Sequence, residues 1–121
     1  DLAFFYDRNA FWHNYDTPNL RIILLNNHAG GIFRLIEGPA KQPELEEFFE
    51  TTQALDASNL CKEFDFEYNL VNDEKSLNVA LEDFYKRSLI PKLIEIKSVS
   101  SKNAEILRQI KAEISKELEN R

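Results

Sequence analysis

Glycine is scarce in this chain, three in 121 residues, and two of the three stand side by side at Gly30 and Gly31. They close a polar turn, Asn26-Asn27-His28-Ala29, which follows the apolar run Leu20-Arg21-Ile22-Ile23-Leu24-Leu25. A short, β-branched, nearly continuous apolar run reads as a strand covered on both faces, as in a parallel sheet. In open parallel sheets, ligands bind beyond the C-terminal ends of the strands. Glycines there let backbone N–H groups approach a phosphate, and a helix starting after the turn adds a favourable dipole. The same residues also serve as plain turn chemistry, because Asn and Gly are common where strands end. On these residues alone both readings stand.

A second oxygen ligand is available upstream. Asp1 lies 26 residues before Asn27, and the segment between them reads as one helix and one strand. One such crossover brings a helix start and the next strand's end to the same edge of a sheet. A carboxylate and a carboxamide oxygen, with phosphate oxygens and water, make a set of hard ligands that suits Mg²⁺. Accidental spacing is the alternative. The remaining reactive side chains carry less. His28 sits inside the turn and reads as exposed or supporting, and His13 as a helix-surface residue. Arg34 follows Phe33, within reach of a substrate carboxylate, but that role carries low weight. Glu44, Glu46, Glu47 and Glu50 read as a solvated face. Cys61, in the helical pattern Asn59-Leu60-Cys61-Lys62-Glu63, reads as a small half-buried residue, with neither His nearby in sequence to act as its base.

Several elements must position these groups. Residues 2–15 have apolar side chains at 3, 4, 5, 6, 11, 12 and 15, which predicts a buried helix with Asp1 at its N-cap. Thr17-Pro18-Asn19 breaks it. Residues 32–36 resume an apolar pattern that stops at Gly38-Pro39. A short helix is expected over Glu44–Glu50 and another from Asp56 to Phe64. Glu67–Val71 reads as a second strand. Asn72-Asp73 caps a helix over Glu74–Arg87, with Leu77, Ala80, Leu81, Phe84 and Tyr85 on one face. Leu93–Val99 alternates as a third strand. A last helix, Ser101–Asn120, has apolar residues at 106, 107, 110, 114 and 118, a stripe too short for a coiled coil and expected to pack on the sheet. Strands separated by helices imply parallel pairing through right-handed crossovers. The fold class is therefore α/β, three layers with a parallel sheet.

Composition bounds the rest. The length suits one domain, and 43% apolar residues is ordinary for a globular chain. A net charge of −6 argues against a general binder of nucleic acid or anionic membrane. There is no apolar run of about eighteen residues to span a bilayer. One cysteine excludes a disulfide framework and fits a reducing, cytoplasmic compartment. The chain has no Met and starts inside an apolar pattern, so it reads as a piece of a longer protein.

Here the residues resemble a family. Thiamine-diphosphate enzymes carry a Gly-Asp pair followed, after such an interval, by Asn-Asn or a lone Asn. Asp1-Leu2 and Asn26-Asn27 match its two ends. The longer pattern Asp1-Leu2-Ala3-Phe4-Phe5-Tyr6-Asp7, Asn9-Ala10 and Asn26-Asn27-x-x-Gly30-Gly31-Ile32-Phe33 is similar to the 2-succinyl-5-enolpyruvyl-6-hydroxy-3-cyclohexene-1-carboxylate synthases of menaquinone biosynthesis. Phe66-Glu67-Tyr68 and Leu93-Ile94-Glu95-Ile96 extend the likeness along nearly the whole chain.

The resemblance implies that residues 1–121 are the C-terminal thiamine-diphosphate- and Mg²⁺-binding (PP-type) domain, lacking its N-terminal portion. It implies Mg²⁺ (or Mn²⁺) held by the side chains of Asp1 and Asn27 and the carbonyl of Ala29. It implies cofactor contacts at Asp1, Leu2, Asn27, Ala29, Gly30, Gly31 and Ile32, and an apolar substrate wall at Ile32 and Phe33. The implied enzyme is a cytoplasmic transferase, homodimeric or homotetrameric, that decarboxylates 2-oxoglutarate and adds the succinyl carbanion to isochorismate. In such enzymes the cofactor lies between subunits and an activating Glu comes from the partner's N-terminal domain, so no catalytic residue is expected within this chain and the chain alone is expected to be inactive. Two alternatives remain: another thiamine-diphosphate enzyme, such as a 2-oxoacid decarboxylase or an acetolactate synthase, and a non-catalytic flavodoxin-like binding domain.

Overall fold

The computed structural model describes residues 1–13 and 15–119. Three strands, β1 (Arg21–Asn26), β2 (Glu67–Val71) and β3 (Lys92–Lys97), form one parallel sheet in the order β1-β3-β2. The helices are α1 (Leu2–Tyr6), α2 (Ser58–Glu63), α3 (Glu74–Phe84) and α4 (Ser100–Glu119). Short 3-10 turns occupy Arg8–Phe11, Gly31–Arg34 and Pro39–Lys41, and a π-helical turn occupies Leu45–Phe49. The fold is α/β with a parallel sheet, as the alternation of elements predicts. The chain divides into two compact units, Asp1–Asn26 with Ala54–Lys97, and Asn27–Gln53 with Ser98–Arg121.

The first unit holds the sheet between helices. Leu93 of β3 pairs in register with Ile22 and Tyr68, and this face is covered by α1, the Arg8–Phe11 turn and α2, through Phe5, Ala57, Cys61 and Phe66. An aromatic cluster fills the layer, with Phe11 set edge-on to Phe66 at 5.2 Å between centroids. Such a pair contributes about 1 kcal/mol beyond its buried area. On the opposite face, Ile94 and Val71 pack with Ala80 and Phe84 of α3. β1 is covered on one face only: Leu24 and Asn26 are buried while Ile23 and Leu25 are exposed, so the expectation of a strand covered on both faces fails.

Helix ends account for most other departures. The expected helix over 2–15 stops at Asp7, whose N–H bonds Ala3 O, and continues only as a 3-10 turn; Asn14 lies outside the described residues. α2 ends in a Schellman-type closure, Phe66 N–H to Cys61 O, through Asp65 at φ 54°. α3 opens on a capping box between Asp73 and Ser76. It ends at Phe84, not Arg87, because Arg21 donates to the carbonyls of Phe84 (2.6 Å) and Lys86 (2.8 Å). A cation at a helix C-terminus satisfies orphan carbonyls and opposes the helix dipole. Tyr85, expected on the apolar face, is the exposed C-cap.

In the second unit, α4 is anchored by buried Ser100 and Ala104. Ile106, Ile110, Ile114 and Leu118, expected to pack on the sheet, are exposed. Asn120 lies outside the described residues. Among the described residues no helix is long and apolar enough to cross a membrane.

Candidate functional site

The loop after β1 belongs to the second unit and is built around the side chain of Asn27. The backbone N–H of Ala29 donates to Asn27 Oδ1 at 3.0 Å, which turns the chain and fixes the carboxamide. Gly31 makes room for it: a Cβ there would lie 2.8 Å from Asn27 Nδ2 and 3.2 Å from Ser100 Oγ. His28 adopts φ 59°, the left-handed region that β-carbon-bearing residues avoid. The loop is pinned from outside by Gly30 N–H to Glu50 O and by Gln53 N–H to His28 O (2.9 Å). Asn27, Ala29 and Gly31 are thus gathered in one small turn, with Ala29 buried.

Next in the chain, Gly31–Arg34 forms a 3-10 turn, so the helix dipole that would favour a phosphate is limited to a single short turn. Ile32 is 62% exposed and presents an apolar surface. Phe33 is half-buried against the ring of Phe49, 5.7 Å away. Arg34 is committed elsewhere. Its Nε and Nη2 donate to the two carboxylate oxygens of Glu50, at 2.7 and 2.8 Å, and Nη2 also donates to Glu46. Hydrogen bonds to Glu46 first and then to Glu50 raise the guanidinium's affinity for its proton. A guanidinium so engaged is not positioned for a substrate carboxylate. Glu50, expected on a solvated face, is only 2% exposed and also accepts from Ser100 Oγ at 2.5 Å.

Asp1 and Leu2 belong to the first unit. Asp1 is the N-cap of α1, its Oδ1 accepting the N–H of Leu2 at 2.9 Å, as the sequence predicts. Cys61 is fully buried in α2, and burial first, with Glu95 and Asp56 adding, pushes its thiol up to about 12. Such a thiol is inert at neutral pH.

One polar side chain was missed from sequence. Glu95, in the middle of β3, is 0% exposed. Its carboxylate accepts from Asn26 Nδ2 (2.7 Å), the Ala57 N–H (2.9 Å) and the Tyr68 hydroxyl (2.8 Å). Burial first, then Glu95, raises the affinity of the Tyr68 phenol for its proton and keeps it a donor. The signal was present: a lone Glu inside Leu93-Ile94-Glu95-Ile96, in the strand with a neighbour on each side.

No family model matches the chain. Curated relatives do. The chain is 54% identical over 114 residues to the 2-succinyl-5-enolpyruvyl-6-hydroxy-3-cyclohexene-1-carboxylate synthase of Cytophaga hutchinsonii, covering 94% of this chain and 20% of that protein. It is 45% identical over 107 residues to the synthase of the same name from Christiangramia forsetii, covering 88% and 18%. It is 37% identical over 115 residues to that of Flavobacterium johnsoniae, covering 95% and 21%. The chain spans about a fifth of the length of these relatives. Over nearly all of its own length, this chain belongs to the 2-succinyl-5-enolpyruvyl-6-hydroxy-3-cyclohexene-1-carboxylate synthase family.

Proposed function

We propose that this chain is the C-terminal, thiamine-diphosphate- and Mg²⁺-binding part of a longer cytoplasmic transferase of menaquinone biosynthesis. The full-length protein would join 2-oxoglutarate, with loss of CO₂, to isochorismate. The observation that carries this reading is the 54% identity to a named synthase across 94% of the chain. No relative reported above is a decarboxylase or an acetolactate synthase by name, and nothing observed favours the flavodoxin-like alternative.

The donor chemistry fits the metal. Asp1 offers a carboxylate, Asn27 a carboxamide oxygen and Ala29 a backbone carbonyl, all hard ligands. Among the described residues no group of three or more His, Cys, Asp or Glu side chains is disposed to hold a metal. A cation held by these oxygen donors would complete its shell with diphosphate oxygens and water, as Mg²⁺ favours. Asn27 suits the role because its Oδ1 is already oriented by Ala29 N–H and keeps a second lone pair. Gly30 and Gly31 keep the loop thin, and Ile32 and Phe33 supply an apolar wall that excludes water from the reacting carbon. The cofactor, when bound, supplies the carbon nucleophile and the electron sink for decarboxylation.

The test is made in the full-length protein. Asp1→Ala and Asn27→Ala are each expected to lower Mg²⁺-dependent cofactor affinity and turnover by about 100-fold or more, the upper end for loss of a metal ligand's support. Wild-type rates in both variants at limiting Mg²⁺ reject the metal assignment.

A further inference from the structure

Segment 27–53 carries the candidate cofactor loop; it leaves the first unit after Asn26 and returns at Ala54. Asn26, the last residue of β1, is 0% exposed. Its Nδ2 bridges two acceptors, the Leu55 carbonyl at 2.9 Å and Glu95 Oε1 at 2.7 Å. The other oxygen of Glu95 takes the Ala57 N–H and the Tyr68 hydroxyl. One buried carboxylate therefore ties the exit of the excursion, its return and the neighbouring strand β2. Nothing in the sheet requires a charge there: Leu93 and Ile94 beside it are apolar and fully buried. Burying a carboxylate is costly unless its oxygens are hydrogen-bonded, and three donors converge on this one.

We propose that Glu95 is a positioning residue for the cofactor loop, holding the two ends of segment 27–53 at a fixed spacing through Asn26 and Ala57. It touches neither cofactor nor substrate; it acts through the residue covalently next to Asn27. The proposal rests on the reading of that loop as the metal end of the thiamine-diphosphate site. The Ala57 backbone N–H cannot reverse, and turning the Asn26 carboxamide over would set its oxygen against the Leu55 carbonyl. Replacing one Glu95 oxygen by an amide NH₂ sets donor against donor at Asn26 or at Ala57, whereas the Tyr68 hydroxyl can turn to accept.

The experiment uses the full-length protein and two readings, cofactor affinity in the presence of Mg²⁺ and amide hydrogen exchange of residues 27–31 without cofactor. Glu95→Gln is expected to weaken cofactor affinity roughly 10–100-fold, as loss of a group behind a metal ligand does. Turnover at saturating cofactor should change far less, and exchange at Ala29 and Gly30 should speed up. Tyr68→Phe removes a bond to Glu95 on the β2 side alone and is expected to leave both readings near wild type. If Glu95→Gln does not fold, Asn26→Ala severs the same link and decides by the same readings. Unchanged exchange and unchanged affinity in a folded Glu95→Gln or Asn26→Ala protein overturn the proposal. If the wild-type protein binds no thiamine diphosphate, the functional reading fails, and exchange at residues 27–31 still decides whether Glu95 holds the loop.

Discussion

Asn27 is the side chain on which the candidate site turns, and Gly31 is the residue that lets it sit where it does. The crowding is asymmetric. A methyl group at Gly31 would press on the end of the Asn27 carboxamide at 2.8 Å and only secondarily on Ser100 Oγ. Side-chain ends give way more easily than backbone, and Gly31 does not hold a positive φ that an alanine would resist. Gly31→Ala is therefore expected to fold, with a melting temperature within a few degrees of wild type, a cost of about 1 kcal/mol or less. The carboxamide would be displaced, and Mg²⁺-dependent cofactor affinity of the full-length protein should fall about tenfold or more. Calorimetric titration beside a thermal melt checks both; a variant that unfolds, or one with unchanged affinity, contradicts the account. The two buried glutamates divide their roles within separate units: Glu50 holds Arg34 and Ser100, while Glu95 holds Asn26, Ala57 and Tyr68.

The elements end where side chains from elsewhere close them, and one such closure carries a pH dependence. Lys92 opens β3 and is nearly buried; its Nζ bonds the Asp83 carboxylate and carbonyl at the end of α3 and lies 3.3 Å from Glu67. The hydrogen bond from Lys92, then its charge, holds the Asp83 carboxyl below its ordinary value, and Asp83 in turn raises Lys92. A depressed carboxylate stabilises the fold fully above its unfolded pKa, about 4, and loses that contribution as pH falls through the folded value. The raised lysine contributes fully below about 10 and loses it as pH rises through its folded value. Urea midpoints should thus separate wild type from Asp83→Asn between about pH 5 and 9, and the gap should close below about pH 4. A gap that persists in acid contradicts the linkage. Legibility followed the same boundary between local and distant causes. Glu67–Val71 was read without error because alternation and the turn signal Asn72-Asp73 are local. β1 was read one residue early, since Asn26 joins the ladder through its pairing with Lys97. The end of α3 was overextended because Arg21 acts through contacts that a periodicity does not encode, and that of α1 because the chain tightens into a 3-10 turn after Asp7 without breaking the apolar pattern. Asp1 as a cap and the Asn27–Gly31 turn were legible; the ties of Glu50, Arg34 and Glu95 were not, for each partner lies more than a dozen residues away or on another element.

At the scale of the whole molecule, the pattern of exposure bears on what the chain does alone. β1 has one uncovered face, with Leu25 61% exposed, and α4 carries an exposed row of Ile106, Ile110 and Ile114. Contiguous apolar surface of this kind marks places where further protein packs. The chain spans about a fifth of the length of its curated relatives. Under the proposed function the residues here hold only the diphosphate and metal end of the cofactor. Under the same proposal, the aminopyrimidine end and its activating carboxylate would be held by protein outside this segment. Affinity from a metal and a few backbone contacts must also offset the loss of translational and rotational freedom on binding, several kcal/mol at the least. Residues 1–121 alone are therefore expected to show no synthase turnover and to bind thiamine diphosphate with Mg²⁺ more weakly than about 100 µM, against micromolar binding by the full-length protein. Titration calorimetry on the isolated segment, with circular dichroism to verify that it is folded, makes the comparison. Micromolar binding by the folded segment would mean that this end of the site suffices to capture the cofactor and that the division of labour proposed here is wrong.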